Sequence, residues 1–164
     1  MIIQQARPEH LDGILALEQD GFSDAEQWSR HAWAEELEAD DRLVLAHTDA
    51  DGSVIGVANF GCVEDMADLN RVVVHRNARG RGVAAQLIQA GIDWAEALGA
   101  TRMLLEVRTD NDPAVGLYSR LGFDRISLRR DYYGPGLDAV VMLRPITETT
   151  GGWDEATDWA LTSA

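Results

Sequence analysis

Arg79-Gly80-Arg81-Gly82-Val83-Ala84 lies between a strand-like stretch, Leu69 to Val74, and an apolar-periodic segment that opens at Val83. The order strand, glycine-rich loop, helix predicts an anion cradle. Glycine lets the backbone approach a ligand closely, and the unpaired amides of a helix's first turn aim at anionic oxygens with the helix dipole behind them. A pyrophosphate is the expected guest, and a bare turn is the competing reading of the same six residues. The loop lacks the Gly-Lys-Ser/Thr ending of a P-loop, and no early strand with an acidic residue about twenty positions on marks a dinucleotide fold.

Outward from the loop the chain alternates strand and helix signals. Ile2 to Ala6 reads as a first strand, and Pro8 as the start of a helix carrying Leu11, Ile14, Leu15 and Leu17 at helical spacing. Ser29 is placed to cap a second helix through Trp33 and Leu37. Arg42 to Thr48 and Val54 to Val63 flank Asp51-Gly52, a hairpin-turn signal. Val83, Leu87, Ile88, Ile92, Trp94 and Leu98 predict one long helix stopped at Gly99, and Arg102 to Thr109 returns as a strand. Asp112 is expected to cap a short helix with Pro113 at its first position and Gly122 after its end. Phe123 to Tyr132 and Asp138 to Arg144 read as a closing antiparallel pair around Gly134-Pro135-Gly136. The expected fold is α/β, a mixed sheet of about seven strands with four helices in one domain over residues 1–146, followed by a tail over 147–164. The tail carries Trp153 and Trp159, and docking on the body and plain disorder are both open to it.

The spacing Arg-x-x-Gly-x-Ala at Arg79, Gly82 and Ala84 resembles the coenzyme A pyrophosphate loop of the GCN5-related N-acetyltransferases, and the order of elements is similar to theirs. That resemblance implies acetyl-CoA as acyl donor. It implies that the loop residues Arg79, Gly80, Arg81, Gly82, Val83 and Ala84 hold the diphosphate. It also implies that the fourth and fifth strands splay apart, and that the backbone of Val72, Val73 and Val74 borders the gap, pairing with the pantetheine arm as an added strand would. Two further residues enter the site on chemistry. Glu106 interrupts the apolar strand Met103-Leu104-Leu105-Glu106-Val107, and a carboxylate in such a place is costly unless it is used. It is the candidate general base, acting directly or through water, because only the unprotonated amine attacks a carbonyl. A solvated strand end, with Glu106 paired to Arg102 or Arg108, is the alternative. The segment Asn111-Asp112-Pro113 through Leu117-Tyr118-Ser119-Arg120-Leu121-Gly122-Phe123 resembles the part of the family in which an asparagine holds the coenzyme and a tyrosine reaches the thioester sulfur. Tyr118 is then the candidate acid; it can also merely pack with Leu117 and Leu121.

Arg130-Asp131-Tyr132-Tyr133 with the later Asp138-Ala139-Val140-Val141-Met142, and Trp28-Ser29, is similar to the RimI branch, whose members acetylate the N-terminal alanine of a ribosomal protein. By that resemblance Trp28, Tyr132 and Tyr133 line the acceptor groove. Gln27 and His75-Arg76 depart from the branch's usual residues, which leaves the shapes of the groove and loop open. Energetics favour an α-amine acceptor: deprotonation at pH 7 costs about 1.4 kcal/mol for an amine of pKa near 8 against about 4.6 for a lysine near 10.4. A small amine such as a polyamine or antibiotic is the alternative acceptor, and a non-catalytic acetyl-CoA sensor the alternative activity.

Charge bounds the partners. With 28 acidic and 14 basic residues the formal charge is -14, which disfavours nucleic acid and favours a basic acceptor peptide. One cysteine, Cys62, leaves no intramolecular disulfide, and His10, His31, His47 and His75 have no metal-ligand spacing, so neither a metal nor an oxidising compartment is expected. The start of the chain has no signal-peptide pattern and no apolar run is long enough to span a bilayer, so the expectation is a cytoplasmic protein without a membrane partner, a monomer or weak dimer.

Overall fold

The computed structural model describes residues 2–146. Seven strands form one sheet: β1 (Ile2–Gln5), β2 (Arg42–Thr48), β3 (Val54–Val63), β4 (Met66–Val74), β5 (Arg102–Arg108), β6 (Asp124–Arg129) and β7 (Ala139–Pro145). Their spatial order is β1-β2-β3-β4-β5-β7-β6. Every neighbouring pair is antiparallel except β4 and β5. Four helices cover the two faces, α1 (Leu11–Gly21) and α2 (Arg30–Glu38) on one, α3 (Val83–Ala97) and α4 (Asp112–Arg120) on the other.

Most elements form where the sequence puts them. The Ser29 hydroxyl accepts from the Ala32 amide at 3.0 Å and caps α2. Gly52 turns the β2–β3 hairpin at φ 88°, and Gly99 follows α3 at φ 90°, both in the region that only glycine enters freely. Several boundaries differ, among them the end of β6, which stops at Arg129 and not at Tyr132. Pro8 opens a 3-10 turn over Pro8–His10, and the α-helix begins only at Leu11. β4 starts at Met66, earlier than Leu69, because Glu64 adopts φ 56° and lets β3 reverse within a tight turn. Asn111, not Asp112, caps α4, its Oδ1 accepting from the Ala114 amide at 3.3 Å. The tail with Trp153 and Trp159 lies outside the described residues.

One irregularity in β4 sets which side chains reach which face of the sheet. Asn59 pairs with Arg71 and Phe60 with Leu69, so Asn70 is an extra residue in β4 and a β-bulge. Side chains alternate along a strand, so one inserted residue exchanges the faces. Ala67 and Leu69 point into the core beneath α3, whereas Arg71 and Val73 turn toward α1 and α2. Asn59, fully buried, holds the bulge by accepting from Asn70 Nδ2 and donating to Glu36, each at 2.9 Å.

The α3 face is packed without slack. Val83, Leu87, Ile88, Ile92 and Ala95 form its buried stripe, and Gly91 lies so close to the Phe60 ring that an added Cβ would stand 2.1 Å from Cζ. Gly91→Ala should therefore destabilise the fold despite its better helix propensity, by about 1–3 kcal/mol of overpacking, read as a lowered Tm by circular dichroism.

Candidate active site

β4 and β5 pair through three residues only, Met66 with Arg102, Ala67 with Met103 and Asp68 with Leu104. Beyond Asp68 the strands part. The cleft between them, of about 420 Å³, runs from Leu69–Val72 on one wall to Leu105–Arg108 on the other, and it is bordered by the α1–α2 connection, α4 and the β6–β7 loop.

The glycine-rich loop follows β4 through a 3-10 turn at Arg76–Ala78. Gly80 and Gly82 take φ 79° and 80°, with no atom within 4 Å of where a Cβ would stand. The amides of Gly80, Arg81, Gly82, Val83, Ala84 and Ala85 donate to no protein acceptor among the described residues, and the first helical bond is from Gln86 to the Gly82 carbonyl at 3.0 Å. Six free donors around an open surface at a helix N-terminus fit a diphosphate. The arginine side chains brace the loop itself: Arg79 Nε donates to the Val74 carbonyl at 3.2 Å and Arg81 Nη2 to that of Asn77 at 3.0 Å. Of the three valines expected at the gap, Val72 lines it, while Val73 is buried under α1 and α2.

Tyr118 and Glu106 approach the gap from opposite faces of the sheet. Tyr118, at 8% exposure, sits in the α3–α4 core against the edge of Phe123, with ring centroids 6.0 Å apart, and it lines the cleft. Burial first, and Tyr133 second, push its phenol up to about 12. Leu105 and Val107 point into that same core, so Glu106 between them projects toward the α1–α2 connection. It is half-buried, not enclosed as the sequence suggested, and it pairs with neither Arg102 nor Arg108. Arg108 instead bridges Glu26 at 3.3 Å and Asp110 at 2.9 Å, which leaves Glu106 without an ion pair among the described residues.

The three aromatic residues expected at the acceptor side meet there. The Tyr133 hydroxyl donates to the Glu106 carbonyl at 3.2 Å, and burial again is the main cause that pushes its phenol up to about 12. Tyr132 stands edge-on to Tyr133 at 4.9 Å, remains 46% exposed and carries the Arg129 guanidinium at 5.2 Å. Trp28 packs on Trp33 at 5.0 Å. Asn111 also borders the cleft, but its side-chain oxygen is occupied in capping α4. Missed from sequence were Arg71, Glu18 and Glu26, which tie the α1–α2 connection to β4 and β5. Glu18 and Arg71 are 53 residues apart along the chain, Glu26 and its partner Arg108 82 apart, and no local pattern announces such pairs.

Residues 9–123 match the Acetyltransferase (GNAT) family. The chain belongs to this family. Among GNAT relatives, a ribosomal protein bS18-alanine N-acetyltransferase of Salmonella typhimurium is 35% identical over 101 residues, covering 60% of this chain and 68% of the relative. An L-methionine sulfoximine/L-methionine sulfone acetyltransferase of Pseudomonas aeruginosa is 30% identical over 136 residues, covering 74% and 79%. The crystal structure of the ribosomal-protein-S18-alanine N-acetyltransferase from Escherichia coli superposes with a TM-score of 0.79 at 28% identity, covering 93% of this chain and 97% of that one. The splayed strands and the loop are thus those of a GNAT enzyme, an N-acetyltransferase.

The two tyrosines bind their protons more tightly in the folded chain, at about 12, than at the ordinary 10.0. The stability tied to them is therefore complete below pH 10 and lost as the pH climbs through about 12. Urea unfolding between about pH 9 and 12 should show this alkaline loss, and Tyr118→Phe should make it shallower.

Proposed function

We propose that this GNAT enzyme acetylates the N-terminal α-amine of a protein or peptide, of the ribosomal bS18-alanine type. One observation carries the reading: the gap has an unpaired carboxylate, Glu106, on the face that the α1–α2 and β6–β7 loops enclose, and a proton-holding phenol, Tyr118, on the other. Acetyl-CoA, when bound, supplies a thioester carbonyl as electrophile. The free amides from Gly80 to Ala85 would hold its diphosphate, and Asn111 and the backbone of Val72 to Val74 would border the arm.

Glu106 takes the proton of the incoming ammonium, directly or through one water, and so generates the nucleophile. An α-amine asks little of this base, since it is only about one pKa unit from neutrality at pH 7. Tyr118 keeps its proton throughout the physiological range and offers its O–H to sulfur as negative charge develops there. A thiol of ordinary pKa, about 8.5, is the stronger acid, so the hydroxyl contributes chiefly as a hydrogen-bond donor until desolvation makes the sulfur basic enough to take the proton.

The acceptor groove supports a peptide over a small amine. Tyr132 stands almost half exposed beside it, so the site opens to solvent at the β6–β7 loop. Arg71 is neutralised by Glu18, and Arg108 by Glu26 and Asp110, which leaves the acceptor side with an excess of negative charge suited to a cationic chain end. The L-methionine sulfoximine acetyltransferase among the relatives favours a second reading, a small amino-acid acceptor.

Mass spectrometry of acetyl transfer to three competing acceptors separates the readings: a bS18-like N-terminal peptide, an internal-lysine peptide, and L-methionine sulfoximine. The N-terminal peptide should be labelled first; exclusive labelling of the amino-acid analogue would transfer the enzyme to the second reading. Glu106→Gln should lower kcat/KM for the peptide by about 10²–10⁴ near neutral pH, with the deficit shrinking as the pH rises. Tyr118→Phe should lower kcat while calorimetry finds the affinity for acetyl-CoA within about twofold of wild type.

A further inference from the structure

We infer that Arg71 is a positioning residue for the acceptor: through Glu18 and Glu26 it fixes the wall of the cleft formed by Phe22, Glu26 and Trp28, and so sets affinity for the amine without altering the donor site. The inference rests on the acetyl-transfer reading but not on which amine is native.

The bulge at Asn70 throws Arg71 onto the face of α1 and α2. Its guanidinium there makes hydrogen bonds through two of its three nitrogens and stacks on two rings. Nη2 and Nε donate to the Glu18 carboxylate, and Nη2 donates also to the Glu26 carbonyl. Its plane lies over the Phe22 ring at 3.7 Å and near the Trp28 ring at 4.8 Å. Glu18 is 1% exposed and shares its other lone pairs with the Trp28 amide at 2.7 Å and the Trp33 indole at 3.3 Å. Phe22, Glu26, Trp28 and Arg71 are all cleft-lining residues.

The wall's other ties lie within its own face: Trp28 packs on the buried Trp33 at 5.0 Å, Phe22 and Trp28 lie partly buried against the core under α1 and α2, and Gln27 Nε2 donates to the Phe22 carbonyl at 2.9 Å. Between α1 and α2 the chain makes only a 3-10 turn at Asp24–Glu26, and that turn buries no residue. The turn itself has no apolar anchor, and Arg71 is the group that ties it, through the Glu26 carbonyl, to the sheet. The second tie, Arg108 to Glu26, is more exposed than Arg71 to Glu18, with Arg108 at 34% against 13% for Arg71. The donor loop at Gly80 to Ala85 makes no contact with this hub among the hydrogen bonds described.

The test is steady-state kinetics with acceptor and acetyl-CoA varied separately, beside amide hydrogen exchange of the free enzyme. Removing one partner alone would leave a buried charge unpaired, so the first variant is Glu18→Gln with Arg71→Gln. Acceptor KM should rise by about tenfold or more, acetyl-CoA KM should stay within about twofold, and exchange should quicken over residues 22–28 but not over 80–85. Arg71→Lys keeps the charge but lacks the fork, and should fold normally with an intermediate acceptor KM. An unchanged acceptor KM in a folded variant, or a donor KM that rises in step, overturns the inference. Absence of wild-type turnover with any amine would instead overturn the acetyl-transfer reading, and the exchange of residues 22–28 would still decide whether Arg71 holds the wall.

Discussion

A parallel pair of strands ordinarily continues as long as both strands do, because a backbone amide or carbonyl that faces no partner is expensive to bury. In this protein β4 and β5 abandon each other after three residue pairs, and the rest of the molecule is arranged around that break. β4 stays paired with β3 along its other side, so the departure belongs to the half-sheet β5-β7-β6. The gap is bordered by Leu69 and Val72 on one wall, Leu105 and Val107 on the other, and Tyr118 across the end. In the proposed reading the unpaired strand edges serve binding, and a guest with amide groups of its own would complete the sheet as an extra strand does.

The bulge at Asn70 gives the break its two-sidedness. Without the extra residue, Arg71 would face α3 and a buried cation would stand in an apolar core; with it, Arg71 meets Glu18. A buried ion pair of this kind is weak evidence for stability, since desolvation of both groups offsets much of their attraction. Its value lies in geometry. The carboxylate and guanidinium have few alternative partners at that depth, so the loop carrying Phe22 and Trp28 has one place to be. Asn59, donating to Glu36 and accepting from Asn70, fixes the bulge from the α2 side in the same way.

What could be read from the sequence was what local physics encodes. The glycines of the loop need positive φ, Ser29 needs only its own helix to cap, and the periodicity of α3 repeats within one element; each left a signature a few residues long. Tyr118, Glu106, Trp28, Tyr132 and Tyr133 were singled out by residue type in context, and all five border one cleft. The bulge left no such signature, because Asn70 is extra only relative to Asn59 and Phe60 on the neighbouring strand. For the same reason the enclosure expected for Glu106 was overstated: its strand is apolar on one face, and the face it occupies is the one the gap opens. Asn111 and Asp112 are both good caps, and only the backbone conformation entering α4 selects the first.

Direct transfer from donor to amine is favoured by what the cleft lacks as much as by what it holds. A two-step route would need a side chain that accepts the acetyl group and passes it on. Among the described residues no Ser, Thr, Cys or His lines the cleft. Cys62 sits on β3 opposite Ala67, at the closed end where β4 and β5 are still paired, and burial together with the charges of Asp68 and Asp65 pushes its thiol up, away from the thiolate form that reacts. The remaining candidates are carboxylates and phenols, and the proposed proton work falls to a half-buried carboxylate on the acceptor face and a phenol shielded on the other. In the proposed reaction donor and acceptor would occupy the gap together, one along the strand edges and one across the loops, with Glu106 and Tyr118 approaching from opposite faces of the sheet.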